Sequence, residues 1–340
     1  MKTFIRSGTG IISICICAIV CFAQSSSFIH FGVEHGLVQS QVRAMVQDND
    51  GQLWFGTIAG LSVYNGIEFK TITKEDGLAE DWVTALYKDN AGNIWCGHWG
   101  GGITIYKYKE KQFSQLSLEE VLEYKSISVI YQDKNGFMWI GTEGAGICVY
   151  DPEKNTYINL DEEQGLSSNK IFSITNDSRG NIWCGTSNGI TQFDPFKIVD
   201  NLKNKKTGSE SQKDLLLKLK YFNVEAGLPH KVVISLLHTG KNKIIAGTPE
   251  NGIAIFDENT VDGVFKVILN GENGVALKNV KHLYEDVNGD IWASTSESGV
   301  VNVSSLYIES DFADKLPGKE IEKYVKTFNT QKGLNFNNNN

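Results

Sequence analysis

The 340-residue chain is short of most features that announce an enzyme or a membrane protein. It holds only 5 prolines, 3 methionines and 6 cysteines. Three of those cysteines, Cys15, Cys17 and Cys21, fall within the first 23 residues. The others, Cys96, Cys148 and Cys184, lie in apolar runs of separate segments, two of them at one matching motif position. That placement argues against a disulfide and for small buried apolar side chains. No phosphate-binding glycine loop, zinc spacing or nucleophile elbow occurs, so no cofactor, metal or catalytic residue is expected. Asp48-Asn49-Asp50-Gly51 faintly resembles a calcium loop but lacks the downstream acidic ligand. With 32 Lys and Arg against 40 Asp and Glu, the net charge is −8. An acidic chain without cation clusters is a poor partner for nucleic acid, whose phosphates demand them.

Past the amino terminus no apolar run is long enough to cross a membrane. The terminus itself reads as a secretory signal over 1–23. Lys2 and Arg6 precede an apolar stretch from Ile11 to Phe22, and Cys21-Phe22-Ala23 is a small-x-small cleavage site. A lipoprotein reading at Cys21 fits poorly, because Val20 precedes it. Residues 24–340 are then expected in the periplasm or another extracytoplasmic space.

What the chain does have is one recurring phrase, D-x-x-G-x-[ILM]-W-x-[GS]-[TH]. It runs from Asp48 to Thr57, Asp89 to His98, Asp133 to Thr142, Asp177 to Thr186 and Asp286 to Thr295. A degenerate copy from Thr239 to Thr248 has Asn242 for the glycine and Ile245 for the tryptophan. Recurrence at roughly 40–47 residues marks a propeller or solenoid. An apolar run precedes each phrase, as at Val83–Tyr87, and suits a strand covered on both faces. Asp and Gly of the phrase suit a tight reversal, and a third strand opens at Gly60, Gly102, Gly146, Gly189, Gly252 or Gly299. A fourth carries apolar pairs three apart: Phe69/Ile72, Phe113/Leu116, Tyr157/Leu160, Leu219/Phe222 and Val325/Phe328. Four-stranded units apolar on both faces must stack radially, which predicts an all-β propeller with Trp54, Trp95, Trp139, Trp183 and Trp292 buried between blades.

Gly-Leu pairs open most units, which begin near residues 36, 77, 121, 165, 227, 274 and 333. Val121-Leu122 and Gly274-Val275 stand at that place in units three and six. Phe28–Phe31 matches a fourth strand, and Gly333-Leu334 matches a unit's opening. The phase therefore predicts six complete blades, the start of a seventh, and a seven-bladed ring in the full protein. Insertions at Ile198–Leu217 and Leu306–Lys323 read as surface loops, or as docking segments for a partner.

Residues that break the repeat are the candidates for function. Trp82 stands where other units have Gln41, Lys170 and Asn279. Trp99 follows His98, where the first and fourth copies have Ala59 and Asn188. Both loops belong to one rim of blade two, so two exposed indoles beside an imidazole could stack on a sugar or other planar group. They could equally pack on each other. Glu143, His230 and Glu250 are expected on the same rim, completing a site for a small polar ligand such as an oligosaccharide. His30 and His282 read as core residues of strands.

The unit D-x-x-G-x-[IL]-W-x-G-T…G-[LI]…G-L behind a signal peptide resembles the two-component regulator propeller repeat of bacterial sensor proteins, from about Phe28 to Leu334. The resemblance implies an extracytoplasmic, non-catalytic sensor domain. Family members often continue into an immunoglobulin-like domain, a membrane helix and a kinase, cyclase or phosphatase output. No such segment occurs in this sequence, so membrane attachment and output are expected from a missing C-terminal part or a partner module. No catalytic residue carries over, because the repeat defines a scaffold. The alternatives are a secreted propeller enzyme, cleaving glycans or lactones, and a protein-interaction scaffold.

Overall fold

A computed structural model describes residues 28–116, 126–204, 219–260, 263–270, 277–309, 318–329 and 334. The proposed signal peptide and the openings at Val121-Leu122 and Gly274-Val275 lie outside these residues.

Six antiparallel four-stranded sheets follow one another as blades. Blade one comprises β1 (Val42–Gln47), β2 (Leu53–Thr57), β3 (Gly60–Tyr64) and β4 (Phe69–Ile72). Blade two comprises β5 (Val83–Lys88), β6 (Ile94–His98), β7 (Ile103–Lys107) and β8 (Gln112–Leu116). Blade three comprises β9 (Ile127–Gln132), β10 (Met138–Thr142), β11 (Ile147–Asp151) and β12 (Thr156–Leu160). Blade four comprises β13 (Ile171–Asn176), β14 (Ile182–Thr186), β15 (Gly189–Phe193) and β16 (Leu219–Phe222). Blade five comprises β17 (Ser235–His238), β18 (Lys243–Gly247), β19 (Ile253–Asp257) and β20 (Lys266–Leu269), the last not singled out by the sequence pattern. Blade six comprises β21 (Val280–Glu285), β22 (Ile291–Thr295), β23 (Val300–Val303) and β24 (Val325–Phe328). The blades form a ring in which successive first strands adjoin, from β1 through β5, β9, β13 and β17 to β21.

The phrase that recurs in the sequence is a lock. In each Trp-bearing copy the Asp takes its own turn amides on one carboxylate oxygen and the indole N–H on the other. The indole distances are 2.8 Å for Trp54 and Trp95, 3.1 Å for Trp139, 3.0 Å for Trp183 and 2.9 Å for Trp292. At Asp177 burial works to raise the carboxyl pKa. Bonds from Trp183, Asn181 and Gln192 outweigh it and hold the group below its ordinary value. Blade five, with Ile245 in place of the indole, also lacks the carboxylate and has Thr239 there. Donor and acceptor vanish together, as a buried pair requires.

Five apolar clusters fill the five junctions between consecutive blades. Trp54, Trp95, Trp139 and Trp183 are buried as expected. Trp292 is only half-buried, stacked on Phe328 at 5.6 Å. At the junction of blades five and six the missing indole has a substitute. The insertion of blade six forms two short helices, α2 (Ser305–Ile308) and α3 (Gly318–Ile321). Tyr307 from α2 is fully buried in the same cluster as Ile245, and its hydroxyl donates to the Ile268 carbonyl at 2.9 Å. The other insertion begins as α1 (Phe196–Asn204), which sinks Ile198 and Val199 into the cluster shared by blades three and four. These described parts of the insertions are packing elements, not bare surface loops.

On the rim carrying the D-x-x-G turns, side chains clasp neighbouring blades. Asp50 accepts from Tyr108 and Lys111 at 2.6 and 2.9 Å, Gln132 accepts the Asn90 amide at 2.8 Å, and Glu285 accepts the Gly240 amide at 2.9 Å. On the opposite rim the Gly-Leu pairs at Gly36, Gly77, Gly165 and Gly227 each end a short 3-10 turn. At Gly77, φ is +113°, a left-handed conformation natural to glycine, and it sends Leu78 into the core.

The faces of blades six and one are less covered. Val42 of β1 is 40% exposed and Met45 62%, while Tyr284 of β21 is 59% exposed. His282 and His30 are exposed too, and His30 is in no strand, contrary to the core role expected of them. A strand histidine is buried only when a neighbouring blade covers its face.

Candidate functional site

Blade two carries the unusual geometry. In four blades one backbone bond ties the first residue after β6, β10, β14 or β22 to the residue just before the first strand. The bonds are Trp99 N–H to Trp82 carbonyl at 2.9 Å, Glu143 to Ser126 at 3.1 Å, Ser187 to Lys170 at 3.2 Å and Ser296 to Asn279 at 3.2 Å. The structure therefore aligns Trp99 with Glu143 and Ser187, one place earlier than the Asn188 register read from sequence. Only in blade two are both members of this cross-strand pair aromatic. The indoles stack at 5.1 Å between centroids with 21° between planes. Trp82 is half-buried and Trp99 is 45% exposed. They pack on each other, and Trp99 remains partly open to solvent.

The Gly100–Gly102 run makes the stack possible. A Cβ on Gly101 would lie 2.4 Å from the Glu80 Cβ and 3.2 Å from that of His98, so the loop closes only because no side chain is there. Glu80 was not anticipated from sequence. Its carboxylate accepts the Asp81 amide at 2.9 Å and pairs with Lys74 at 3.1 Å, and these partners hold its pKa below the ordinary value. The glycine run was the available signal for this close approach.

His98 does not stand beside the indoles as an accessible group; it is fully buried. It takes the place of a threonine that elsewhere clamps the loop. Thr57, Thr142, Thr186 and Thr295 donate to the carbonyls of Gly60, Gly146, Gly189 and Gly299 at 2.8–3.0 Å. His98 Nε2 meets the Thr104 hydroxyl at 2.8 Å instead. Burial pushes the imidazole pKa down to about 4, partly offset by the Glu80 carboxylate. A buried neutral imidazole can position the loop, but it cannot touch a ligand on the surface.

Glu143, His230 and Glu250 stand on loops of that same rim in later blades. Half-buried Glu143 is paired with Lys170 at 3.1 Å, His230 accepts the Val232 amide on Nδ1 at 3.0 Å, and Glu250 is exposed. No hydrogen bond or ion pair among the described residues joins these three to the indole pair. The buried cysteines stay thiols, with the pKa of Cys148 pushed up by burial to about 12. Among the described residues no group of His, Cys, Asp and Glu is arranged to hold a metal ion, and no helix is long and apolar enough to cross a membrane.

Four-stranded blades set radially and sealed by an Asp–Trp lock define the chain as a β-propeller. A family model described as "Two component regulator propeller" matches residues 36–59, 77–100, 122–144 and 165–188. Each match runs from a unit's opening through its tryptophan strand, so the first four blades are similar to two-component regulator propeller repeats. No curated protein sequence matches the chain.

Solved structures with the same fold include two extracellular domains from B. thetaiotaomicron. One is assigned to a one component system, with a TM-score of 0.56, 21% identity, and coverage of 77% of this chain and 32% of that one. The other is assigned to a hybrid two component system, with a TM-score of 0.51, 21% identity, and coverage of 82% and 43%. Virginiamycin B lyase from Staphylococcus aureus also resembles it, with a TM-score of 0.58, 12% identity, and coverage of 85% and 84%. The chain thus spans less than half of each of these two extracellular domains. At these identities the likeness establishes the fold alone.

Proposed function

We propose that this propeller is the extracytoplasmic ligand-sensing domain of a bacterial two-component or related signalling protein, non-catalytic itself. Its output lies in a C-terminal or partner signalling module. The ligand is a small polar molecule, an oligosaccharide by chemistry, held on the rim of blade two. One observation carries the reading: the stacked indoles of Trp82 and Trp99, the one place where this rim position is doubly aromatic, with Trp99 open to solvent. An indole already braced by a second ring offers a rigid apolar face at little entropic cost, which suits the C–H face of a sugar ring. Glu143, His230 and Glu250 are polar groups on the same rim that can bond hydroxyls of a longer ligand. The signal-like residues 1–23 and the matched repeats support the extracytoplasmic placement.

Calorimetry against a panel of glycan fragments tests this. Trp99→Ala should weaken binding by roughly tenfold or more, about 1.4 kcal/mol, and Trp82→Ala should do so indirectly by freeing Trp99. If a fragment binds and both variants bind it as tightly as the parent, the site is elsewhere. Heat from continuing turnover would instead favour a propeller enzyme.

A further inference from the structure

The indole pair of blade two stands beside negative charge. The segment leading into β5, residues 73–82, carries one cation, Lys74, and four carboxylates, Glu75, Asp76, Glu80 and Asp81. Three of these carboxylates are fixed by backbone amides. Asp76 accepts the Thr73 amide at 2.9 Å, Asp81 the Lys74 amide at 2.8 Å, and Glu80 the Asp81 amide at 2.9 Å. Glu80 is the one that meets the loop of Trp99. It packs against Gly101, two residues beyond Trp99, and it precedes Trp82 by two residues. Two residues of extended chain span at most about 7 Å, so its carboxylate is within reach of a molecule held on the indoles.

Little within the protein offsets the Glu80 charge. His98, which feels that carboxylate, is buried and neutral, its pKa pushed down to about 4. Lys74 Nζ meets Glu80 Oε2 at 3.1 Å, but the two side chains are 51% and 36% exposed. An ion pair so open to water contributes little, and a competing ammonium can displace its lysine at small cost. In the next blade Glu143 is already answered by Lys170 at 3.1 Å.

Resting on the reading of the indole pair as a saccharide site, we propose that its ligand is a cationic amino sugar. One sugar ring packs on Trp99, and its ammonium takes the place of Lys74 Nζ against the Glu80 carboxylate. An indole face attracts a cation as well as a C–H face, and a fixed carboxylate beside it adds a charge-assisted hydrogen bond. A uronic acid or sulfated sugar would meet repulsion from the same carboxylates, so the segment also selects against acidic glycans. The chain as a whole, with 40 Asp and Glu against 32 Lys and Arg, favours the approach of a cation.

Calorimetry on the whole chain tests this with a glucosamine tetramer, its fully N-acetylated form and tetralysine, at about pH 5.5, where amines and carboxylates are both ionised. The glucosamine tetramer should bind roughly tenfold tighter than the N-acetylated form, and the gap should narrow as salt is raised. Glu80→Gln keeps an acceptor for the Asp81 amide and should weaken the glucosamine tetramer alone, by roughly tenfold. Lys74→Ala should tighten that ligand by about threefold, because Glu80 loses its internal competitor. An ion pair that merely shaped the loop would shift affinity the other way. Tetralysine, charged but without a sugar face, should bind roughly tenfold more weakly than the amino sugar. The proposal is overturned if the N-acetylated form binds as tightly as the free amine while Trp99→Ala weakens both, a result that keeps the site and removes its charge preference. It is also overturned if tetralysine matches the amino sugar, which would assign the surface to a basic peptide. If none of the probes binds, or Trp99→Ala changes none of them, the indole site itself fails and the proposal falls with it.

Discussion

Replacing Asp133 with Ala should cost about as much as deleting a core side chain, although Asp133 sits in a turn. Its carboxylate accepts the Asn135 amide at 2.8 Å, the Phe137 amide at 3.1 Å and the Trp139 indole N–H at 3.1 Å. Asn135 is exposed, so water can take over that amide at little cost. Phe137 and Trp139 are buried, and each bond to the carboxylate lost there costs roughly 1–3 kcal/mol. The sum is a loss of about 2–6 kcal/mol. At the equivalent place in blade five, Thr239 only receives amides at 3.2 and 3.4 Å and no indole. Thr239→Ala should therefore cost about 1 kcal/mol. Urea unfolding followed by far-ultraviolet circular dichroism measures both. A double-mutant cycle isolates the indole bond: Asp133→Ala, Trp139→Phe and the pair should show a coupling of about 1.5–3 kcal/mol, the range for a bond to a charged acceptor. A coupling below about 0.5 kcal/mol would refute the lock and leave the Asp as a turn former only.

Trp139→Ala, which empties the centre of the junction between blades three and four, should cost about 3–5 kcal/mol in the same assay. Tyr307→Phe should lose about 1 kcal/mol by removing its bond to the Ile268 carbonyl, and Tyr307→Ala about 3–5 kcal/mol if it replaces the missing indole of blade five. An Ala variant within about 1 kcal/mol of the parent would return α2 to the status of a surface loop. His98 has its pKa lowered from 6.5 to about 4 in the fold, so the unfolded chain binds more protons between those values. Its contribution is whole above pH 6.5 and is lost as pH falls toward 4, by up to roughly 3 kcal/mol. His98→Thr, the residue other blades use, should flatten that part of the stability profile. An unchanged slope between variant and parent would show that His98 is not held neutral.

Blade number, strand order and the interblade place of four tryptophans were legible in the sequence because a repeat is a local statement made many times. Each D-x-x-G-x-[ILM]-W phrase closes its own turn, and the apolar runs around it need cover on both faces whatever the neighbours are. Reading one phrase against the others also marked blade five as degenerate and blade two as exceptional. What no single copy reveals is how copies meet. That the Asp serves an indole six residues on, that Tyr307 enters from an insertion to fill the gap left at Ile245, and that α1 is a packing element all depend on facing side chains distant in the chain. The candidate site divides in the same way. Its two indoles were picked out by breaking the pattern, but the sequence set His98 beside them on the surface. The structure buries His98, because strand alternation and the Gly100–Gly102 loop folding over Glu80 turn adjacent residues to opposite environments. Sequence thus determined the repeat and its exceptions, whose signals are local spacing. Tertiary structure alone decided which exceptional side chains face solvent, which face a neighbouring blade, and which wall of the ring remains open, since burial belongs to surfaces brought together from separate blades.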